Sequence, residues 1–257
     1  MTMTSPFEPV GHDSIADAVV EQIESMIIDG ILKEGRKLPS ERDLAVAMQV
    51  SRPKIRQALQ VLEARGLVLV RHGEGAFIAA LTGSAMSPAM LDLYARHGEA
   101  FYDYLEYRRE QEGFASRLAA QRATASDRER IGEIMEVLQR SWDADDQEAS
   151  READFQFHSA ITDASQNTTL IHMMASIYEL TRSRIFYNRD FLHSIDGTGQ
   201  QLLKQHLDIG NAILSGDAEE ADAAARRHMD FVQKSFQRGQ EQSMREAKAL
   251  KRRQLAR

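Results

Sequence analysis

Three histidines and one aspartate in the C-terminal two thirds of the chain have the residue types and the spacing of a metal site. Asp154 and His158 are four residues apart in a helical pattern, so they share one helix face. His206 and His228 each fall on the apolar face of a later helical segment. Imidazole and carboxylate suit Zn, Ni, Mn or Fe and leave positions for water or a small anion. The pattern indicates one divalent metal, although an inward histidine is more often a hydrogen-bonded core residue.

A second group of residues, nearer the N-terminus, has the chemistry of DNA recognition. Arg52, Arg56 and Gln60 recur at spacings of four on one face of a segment whose separate stripe is apolar. Arginine recognises guanine in the DNA major groove, which accepts one α-helix. Two arginines four residues apart are also typical of a solvated helix face, so the surrounding elements decide between the two interpretations.

The segment Leu38–Ile78 supplies those surrounding elements. Ser40 is a natural N-cap for a helix over Glu41–Gln49. Ser51 caps a second helix, and Pro53 falls in its first turn, where a missing N–H group has little cost. These signals predict two short helices joined by a tight turn.

A β-hairpin follows the two helices. The chain alternates through Leu67–Arg71, turns over His72–Gly75 and returns along Ala76–Ala79. An earlier helical repeat over Ile15–Ile27 is expected to pack behind the two short helices. Together these elements predict a winged helix-turn-helix, which favours the DNA interpretation of the arginine row.

The composition limits what the chain can be. Its 257 residues, 42% hydrophobic and 28% charged, are enough for two domains with sizeable cores. The absence of cysteine excludes disulfides and thiolate metal sites. No apolar run approaches the ~18 residues of a membrane span, and no signal peptide is recognisable. We therefore expect a soluble, cytoplasmic protein without a membrane partner.

The net charge of −7 is distributed unevenly. Lys33–His72 holds nine lysines and arginines against four acidic residues, and Arg238–Arg257 holds seven against two. Gly73–Gln237 between them holds sixteen against twenty-seven. The positive charge is therefore concentrated on the predicted DNA-binding segment and on the tail, as local phosphate binding requires.

Helical patterns without strand-like alternation continue from Ala89, and the last of about seven predicted helices covers Ala218–Gln242. The predicted class is mainly α, with an N-terminal winged helix-turn-helix and a C-terminal all-α helical bundle. The predicted organisation is a flexible arm (1–12), a DNA-binding domain (13–81), a linker (82–88), an all-α effector and dimerisation domain (89–242) and a basic tail (243–257). The tail is either a solvated helix end or a second contact with DNA or a partner.

The N-terminal pattern LPSER…L…SR…R.AL..LE..GL…..G.G.F resembles the DNA-binding domain of the GntR family of bacterial transcription regulators. This resemblance implies that the residues contacting or positioning DNA are Arg42, Ser51, Arg52, Pro53, Lys54, Arg56, His72 and Gly73. It also implies a double-stranded operator with a short inverted repeat, bound by a homodimer.

The helical part resembles the FCD effector domain, which accompanies this DNA-binding domain in the FadR-type branch of the family. The resemblance is carried by LEYRREQEGFASRLAA, by the D-x-x-x-H pattern and by the two later histidines. It implies that Asp154, His158, His206 and His228 are the four metal ligands. It further implies that Arg108 lines an effector cavity and binds a small carboxylate. An exposed ion pair between Arg108 and Glu112 is the alternative for that arginine.

The function expected from these resemblances is a homodimeric transcription regulator, more often a repressor in this branch, controlled by a small carboxylate such as pyruvate or lactate. The helical segment and the tail are most similar to regulators of pyruvate dehydrogenase and of lactate utilisation. Two alternatives stay open. One is a metal-dependent all-α enzyme fused to a DNA-binding module, since three histidines and an aspartate can activate water. The other is an effector-independent DNA-binding protein with a structural metal.

Overall fold

The computed structural model describes the secondary structure of residues 15–81, 98–182 and 198–255. The chain divides into two compact units, Met1–Leu81 and Thr82–Arg257. The predicted arm (1–12), the predicted linker (82–88) and a predicted short helix over Met90–Arg96 lie outside the described residues. Among those that are described, no helix combines the length and the hydropathy needed to cross a membrane.

In its described residues, 15–81, the first unit consists of three helices and a two-stranded wing. It contains α1 (Ile15–Ile28), α2 (Glu41–Ala47), α3 (Arg52–Ala64), β1 (Val68–Arg71) and β2 (Gly75–Ile78). The Ser40 side chain accepts a hydrogen bond from the Asp43 N–H at 3.2 Å and so caps α2, as predicted. Helix α2, the first of the pair, ends at Ala47, earlier than the predicted Gln49, because Gln49 adopts a left-handed conformation with φ of 55°. Ser51 stands at the N-cap of α3 without a side-chain capping bond.

The wing and the helices share one hydrophobic core. The strands pair antiparallel, with Val68 opposite Ile78, and both side chains are buried. Ile55 and Leu62 of α3 are completely buried and Ile23 of α1 nearly so. One face of α3 is therefore fixed in the core, and its opposite face is left at the surface.

The second unit contains only helices in its described part. They are α4 (Gly98–Arg122), α5 (Ala125–Asp143), α6 (Gln147–Ala164), α7 (Thr168–Arg182), α8 (Thr198–Ser215) and α9 (Ala218–Leu255). Thr124 and Asp127 form a reciprocal capping box at the start of α5. A predicted continuation of α7 to Tyr187 lies outside the described residues. The mainly α class, with a winged helix-turn-helix followed by an all-α unit, is confirmed.

Helix α4 is central to this unit, since it packs against α6, α8 and most extensively α9. Leu105 of α4, Phe157 of α6 and Ile213 of α8 are almost completely buried in the shared core. Gly113 allows the close approach of α4 and α9, because a Cβ there would collide with the side chains of Asp222 and Arg226. This packing brings the inner faces of α4, α6, α8 and α9 together.

The last helix is longer than the sequence predicts. Its predicted end was Gln242, but α9 continues to Leu255. No glycine or proline follows Gly239, and the segment is rich in the strong helix formers alanine, glutamate, lysine, arginine and leucine. Side chains 240–253 are all exposed, so intrinsic propensity rather than burial within this chain maintains the extension.

The first unit has its own hydrophobic core, and this gives a prediction for the stability of that unit. Leu62→Ala is expected to lower the free energy of unfolding of that unit by about 2–5 kcal/mol, because Leu62 is completely buried. Urea titration followed by circular dichroism should show the shift. The fluorescence of Trp142, the chain's one tryptophan, reports only the second unit and should keep its midpoint.

Val46→Ala is the matched control, since Val46 is 74% exposed in the same unit and should change neither transition. A shift of the Trp142 transition in Leu62→Ala equal to that of the circular dichroism would contradict independent unfolding of the two units.

Candidate DNA-reading helix and metal centre

The arginine row predicted on α3 lies at the protein surface. Arg52, Arg56 and Gln60 are exposed, whereas Ile55 and Leu59 between them are buried. The row therefore occupies the face of α3 that the core leaves accessible. A helix that presents arginines in this way has the shape and the donors that major-groove recognition requires.

Arg56 is held in place by an acidic residue that sequence reasoning did not identify. Its Nε donates to one carboxylate oxygen of Glu41 at 3.0 Å, and an Nη donates to the other at 2.8 Å. Hydrogen bonding by Arg56 lowers the pKa of Glu41. An ion pair this exposed is worth only about 0–1 kcal/mol, so a guanine or a phosphate can replace Glu41 at little cost.

The other predicted DNA contacts surround the start of α3 and the tip of the wing. Arg42 on α2 has a side chain that is 78% exposed. Ser51, Arg52 and Pro53 are exposed, and Lys54 is half-buried with its Nζ donating to Gln57 at 3.1 Å. At the wing tip His72 and Gly73 are both exposed.

The wing turn itself depends on Gly73. This residue has φ of +78°, a left-handed conformation that glycine adopts without strain. Arg71, immediately before the turn, stacks over the Phe77 ring with its guanidinium carbon 4.7 Å from the ring centre. Its position at the end of β1 was the available signal that the wing carries an arginine, and the sequence prediction did not use it.

The structure brings the three predicted histidines together inside the second unit. His158 of α6, His206 of α8 and His228 of α9 are each 3% exposed. Each offers one ring nitrogen that lies within 4.8 Å of the other two. Because these residues are distant in the sequence, only the packing of three helices against one another creates the cluster.

The carboxylate of Asp154 lies against the same cluster. One of its oxygens is 3.3 Å from His206 Nε2, and the other is 3.9 Å from His158 Nε2. The donor set therefore consists of three imidazoles and one carboxylate, which suits Zn, Ni, Mn or Fe. The chemistry of the residues and their convergence fit a divalent metal.

Two side chains outside this set orient the rings. His158 Nδ1 is 3.0 Å from a carboxylate oxygen of Glu112, and His228 Nδ1 is 3.1 Å from the amide oxygen of Gln205. Both partners are hydrogen-bond acceptors, so each neutral imidazole carries its proton on Nδ1 and has the lone pair on Nε2. This is the tautomer that metal ligation through Nε2 requires.

Arg108 is buried beside the cluster and reaches it through Glu112. An Nη of Arg108 donates to Glu112 at 2.6 Å, and both side chains are almost completely buried. The alternative expected from the sequence, an exposed pair, is therefore wrong, because His158 of α6 and Tyr178 of α7 pack against the pair. The Nε atom of Arg108 is buried without a hydrogen-bond partner among the described residues.

Glu112 is ionised in this environment. Burial acts to raise the pKa of its carboxyl group, but the interactions with His158 and Arg108 act against burial, and the pKa lies well below its ordinary value. The Tyr178 hydroxyl of α7 also donates to Glu112, at 3.1 Å. One buried carboxylate thus joins α4, α6 and α7 next to the candidate metal ligands.

The chain matches two family models. Residues 15–78 match the gntR family of bacterial regulatory proteins, and residues 103–231 match the FCD domain. A protein of Escherichia coli strain K12, named for regulation of the L-lactate dehydrogenase operon, is 31% identical over 238 residues that cover 91% of each chain. The HTH-type transcriptional regulator LutR of Bacillus subtilis strain 168 is 35% identical, over 81% of this chain and 94% of its own.

A further relative in E. coli K12 is the Glc operon transcriptional activator, 32% identical over 86% of this chain and 89% of its own. Among solved structures, Streptococcus agalactiae GntR superposes with a TM-score of 0.54 at 23% identity, covering 86% of this chain and all of the other. That likeness bears on the fold.

Arg56 gives a prediction for DNA binding. Arg56→Ala is expected to reduce the ratio of specific to random DNA affinity by about 5–150-fold, since a bidentate arginine–guanine pair provides about 1–3 kcal/mol of discrimination. Fluorescence titration with operator and random duplexes measures that ratio. Arg65→Ala is the control, because Arg65 is an exposed arginine that follows the other end of α3 and pairs with Glu24. Equal weakening on both duplexes would show that Arg56 contacts only phosphate.

Proposed function

The chain belongs to the GntR family of bacterial regulatory proteins and carries an FCD domain, and we propose that it is a transcription regulator whose operator affinity is set by a small carboxylic acid bound beside a divalent metal. DNA-binding regulation is the shared function of the family. The acid, the metal and the sign of control are the proposal. One observation carries it, namely the convergence of three buried histidines, Asp154 and the buried Arg108–Glu112 pair within the FCD domain.

The metal is proposed to be held by Asp154, His158, His206 and His228, one ion in each subunit. When bound, it supplies a Lewis-acidic position at which a carboxylate or hydroxyl oxygen of a small acid can be ligated. The protein residues fix the approach to that position. Phe157 packs edge-on against both His158 and His206, so the rings cannot rotate freely.

The effector is proposed to be a short 2-oxo or 2-hydroxy acid such as pyruvate or lactate. A relative named for the L-lactate dehydrogenase operon supports lactate. Arg108 supplies the charge that holds the acid's carboxylate, since a guanidinium binds carboxylate with two parallel hydrogen bonds. Its buried Nε is a donor suited to that contact.

On DNA, the proposed reader consists of Arg42, Arg52 and Arg56, positioned by Ser51, Pro53 and Lys54, with His72 and Gly73 at the wing tip. Because one reader covers only a few base pairs, we propose a homodimer that binds a short inverted repeat. Light scattering together with operator footprinting would test both parts.

Control is proposed to be repression that the acid relieves. One relative is named an activator, so transcription from the controlled promoter, measured with and without the protein and the acid, is the measurement that decides between repression and activation. The enzyme alternative loses its support, because the relatives are transcription regulators. The alternative of a structural metal without effector predicts that neither L-lactate nor pyruvate changes the melting temperature.

The experiment that tests the proposal measures operator affinity with and without L-lactate or pyruvate, with metal content determined by elemental analysis. The acid is expected to change the affinity of the wild type by about 5–150-fold, the usual size of allosteric coupling. His206→Ala should lose metal and response together, whereas His172→Ala, outside the cluster, should keep both. A metal-free wild type that responds fully contradicts the role of the metal.

Arg108 is tested with Arg108→Lys rather than alanine, because alanine would leave the buried charge of Glu112 without its cation. Lysine keeps the charge but cannot form the two parallel hydrogen bonds of a guanidinium. The variant should keep metal and operator binding and lose most of the acid response. An unimpaired response would remove Arg108 from the effector site.

A further inference from the structure

Glu112 divides its two oxygens between two groups with different proposed roles. Oε1 accepts from Arg108 at 2.6 Å, while Oε2 is 3.0 Å from His158 Nδ1 and accepts from Tyr178 at 3.1 Å. The side chain is 2% exposed, so these contacts rather than water satisfy the carboxylate. Any change in the position of the Glu112 carboxylate therefore alters its contacts with both Arg108 and His158.

We propose that Glu112 is the carboxylate that couples the acid site to the metal site, occupying Arg108 in the absence of acid while it orients His158 for the metal. This inference rests on the proposed function of Arg108 and of the histidine cluster. An acid that binds Arg108 bidentately must share the guanidinium with Glu112 or displace it, since Glu112 already takes one of its donors. A displaced Glu112 relaxes its hold on His158.

The charges around Glu112 predict the direction in which the metal affinity and the acid affinity change. Arg108 contributes one positive charge, and Glu112 and Asp154 contribute two negative charges, so these residues alone repel an acid. A divalent cation reverses the balance and favours an acid. Removing the charge of Glu112 therefore weakens the site for a cation and strengthens it for an anion, and the two affinities must change in opposite directions.

Glu112→Gln tests this inference, because the amide keeps the shape and a hydrogen-bond acceptor but removes the charge. Zn²⁺ affinity, measured by competition with a chromophoric chelator, is expected to fall about 10–100-fold, the usual effect of losing a partner of a metal-ligating histidine. L-lactate affinity, measured by calorimetry at saturating Zn²⁺, is expected to rise. A side chain with only a structural role would lower both affinities.

Gln205→Ala is the matched control. Gln205 orients His228 as Glu112 orients His158, but the structure gives it no contact with Arg108 among the described residues. Its loss should lower Zn²⁺ affinity and leave L-lactate affinity at saturating Zn²⁺ unchanged. Should Glu112→Gln fail to fold, Glu112→Asp replaces it, since the shorter chain cannot span Arg108 and His158. Glu112→Asp should lower Zn²⁺ affinity. It should also raise L-lactate affinity, but by less than Glu112→Gln does.

The outcomes separate the two proposals. A wild type that binds neither L-lactate nor pyruvate at saturating Zn²⁺ overturns the proposed effector function, and the coupling role of Glu112 with it. A wild type that binds the acid, beside a variant whose two affinities fall together or stay unchanged, overturns the role of Glu112 alone.

A different feature, the exposed end of α9, carries a second inference. Arg245, Lys248 and Arg252 follow one another at spacings of three and four, and Arg238 precedes Arg245 by seven residues, so they form one row. The row spans about 20 Å of helix. Glu241 is the one acidic side chain in it and pairs with Arg245 at 3.4 Å.

We infer that this row, which we call the α9 stripe, binds the phosphate backbone of DNA. The partner of a DNA-binding regulator is a polyanion, and the stripe complements it in charge and in linear form. The rest of the helical unit has the opposite sign, because residues 82–237 hold twenty-six acidic residues against sixteen lysines and arginines. The stripe is therefore a local exception on an acidic unit rather than part of a generally basic surface.

The test replaces Arg245, Lys248 and Arg252 by glutamine and measures operator affinity across a range of salt concentrations. The slope of log affinity against log salt should become shallower by about 0.9 for each phosphate contact that is lost, with similar changes on random DNA. The control replaces Arg140, Lys204 and Arg227, three exposed cations elsewhere in the unit, which gives the same change in net charge.

The control triple should leave the slope unchanged. Equal slopes for the two triple variants would overturn the inference. A loss of dimerisation without DNA, at an unchanged slope, would instead assign the stripe to a second copy of the chain and would also overturn it.

Discussion

A charge buried among helices must be paired, and the structure of the second unit depends on how it pairs one carboxylate. Glu112 of α4 is bonded to Arg108 one turn earlier, to His158 of α6 and to Tyr178 of α7. Removing one member of a buried ionic network typically costs about 3–5 kcal/mol, because the remaining charge stays uncompensated. Three helices are therefore held in register by the same side chains that border the histidine cluster, so the candidate site and the fold of this unit share one network.

Because the candidate site and the fold share one buried network, this network restricts how a bound ligand can affect distant parts of the unit. A ligand shifts an equilibrium only by the difference between its affinities for two arrangements. In the proposed site the ligand's partner is a structural ion pair, so binding would change the contacts that position α4 against α6 and α7. An acid held by exposed residues would not change these contacts between helices.

The sequence predicted the features that depend on interactions between residues close together in the chain. The cap at Ser40, the turn over His72–Gly75 and the spacing of Asp154 and His158 depend on near neighbours, and each lies as expected. Helical periodicity also placed His206 and His228 on inner faces. What the sequence could not provide is pairing across elements. Glu41 reaches Arg56 over fifteen residues, and Glu112 reaches His158 over forty-six, so neither pairing is marked by spacing. The sequence allowed a helical tail but ended the last helix at Gln242, because helix propensity acts there without an apolar stripe to reveal it.

The distribution of charge supports the proposal that a small acid binds beside a buried arginine and a metal. The segment Gly73–Gln237 is strongly acidic, and its surface field disfavours both DNA phosphates and small anions. Salt screens that field within about 8–10 Å in water, whereas charges in the low-dielectric interior interact with little screening. A small acid is therefore attracted only to a site inside the unit at which cations lie next to the carboxylate of the acid. In the proposed function, the same acidic surface would restrict DNA to the basic reader and the α9 stripe, and one charge distribution would separate the two anionic ligands.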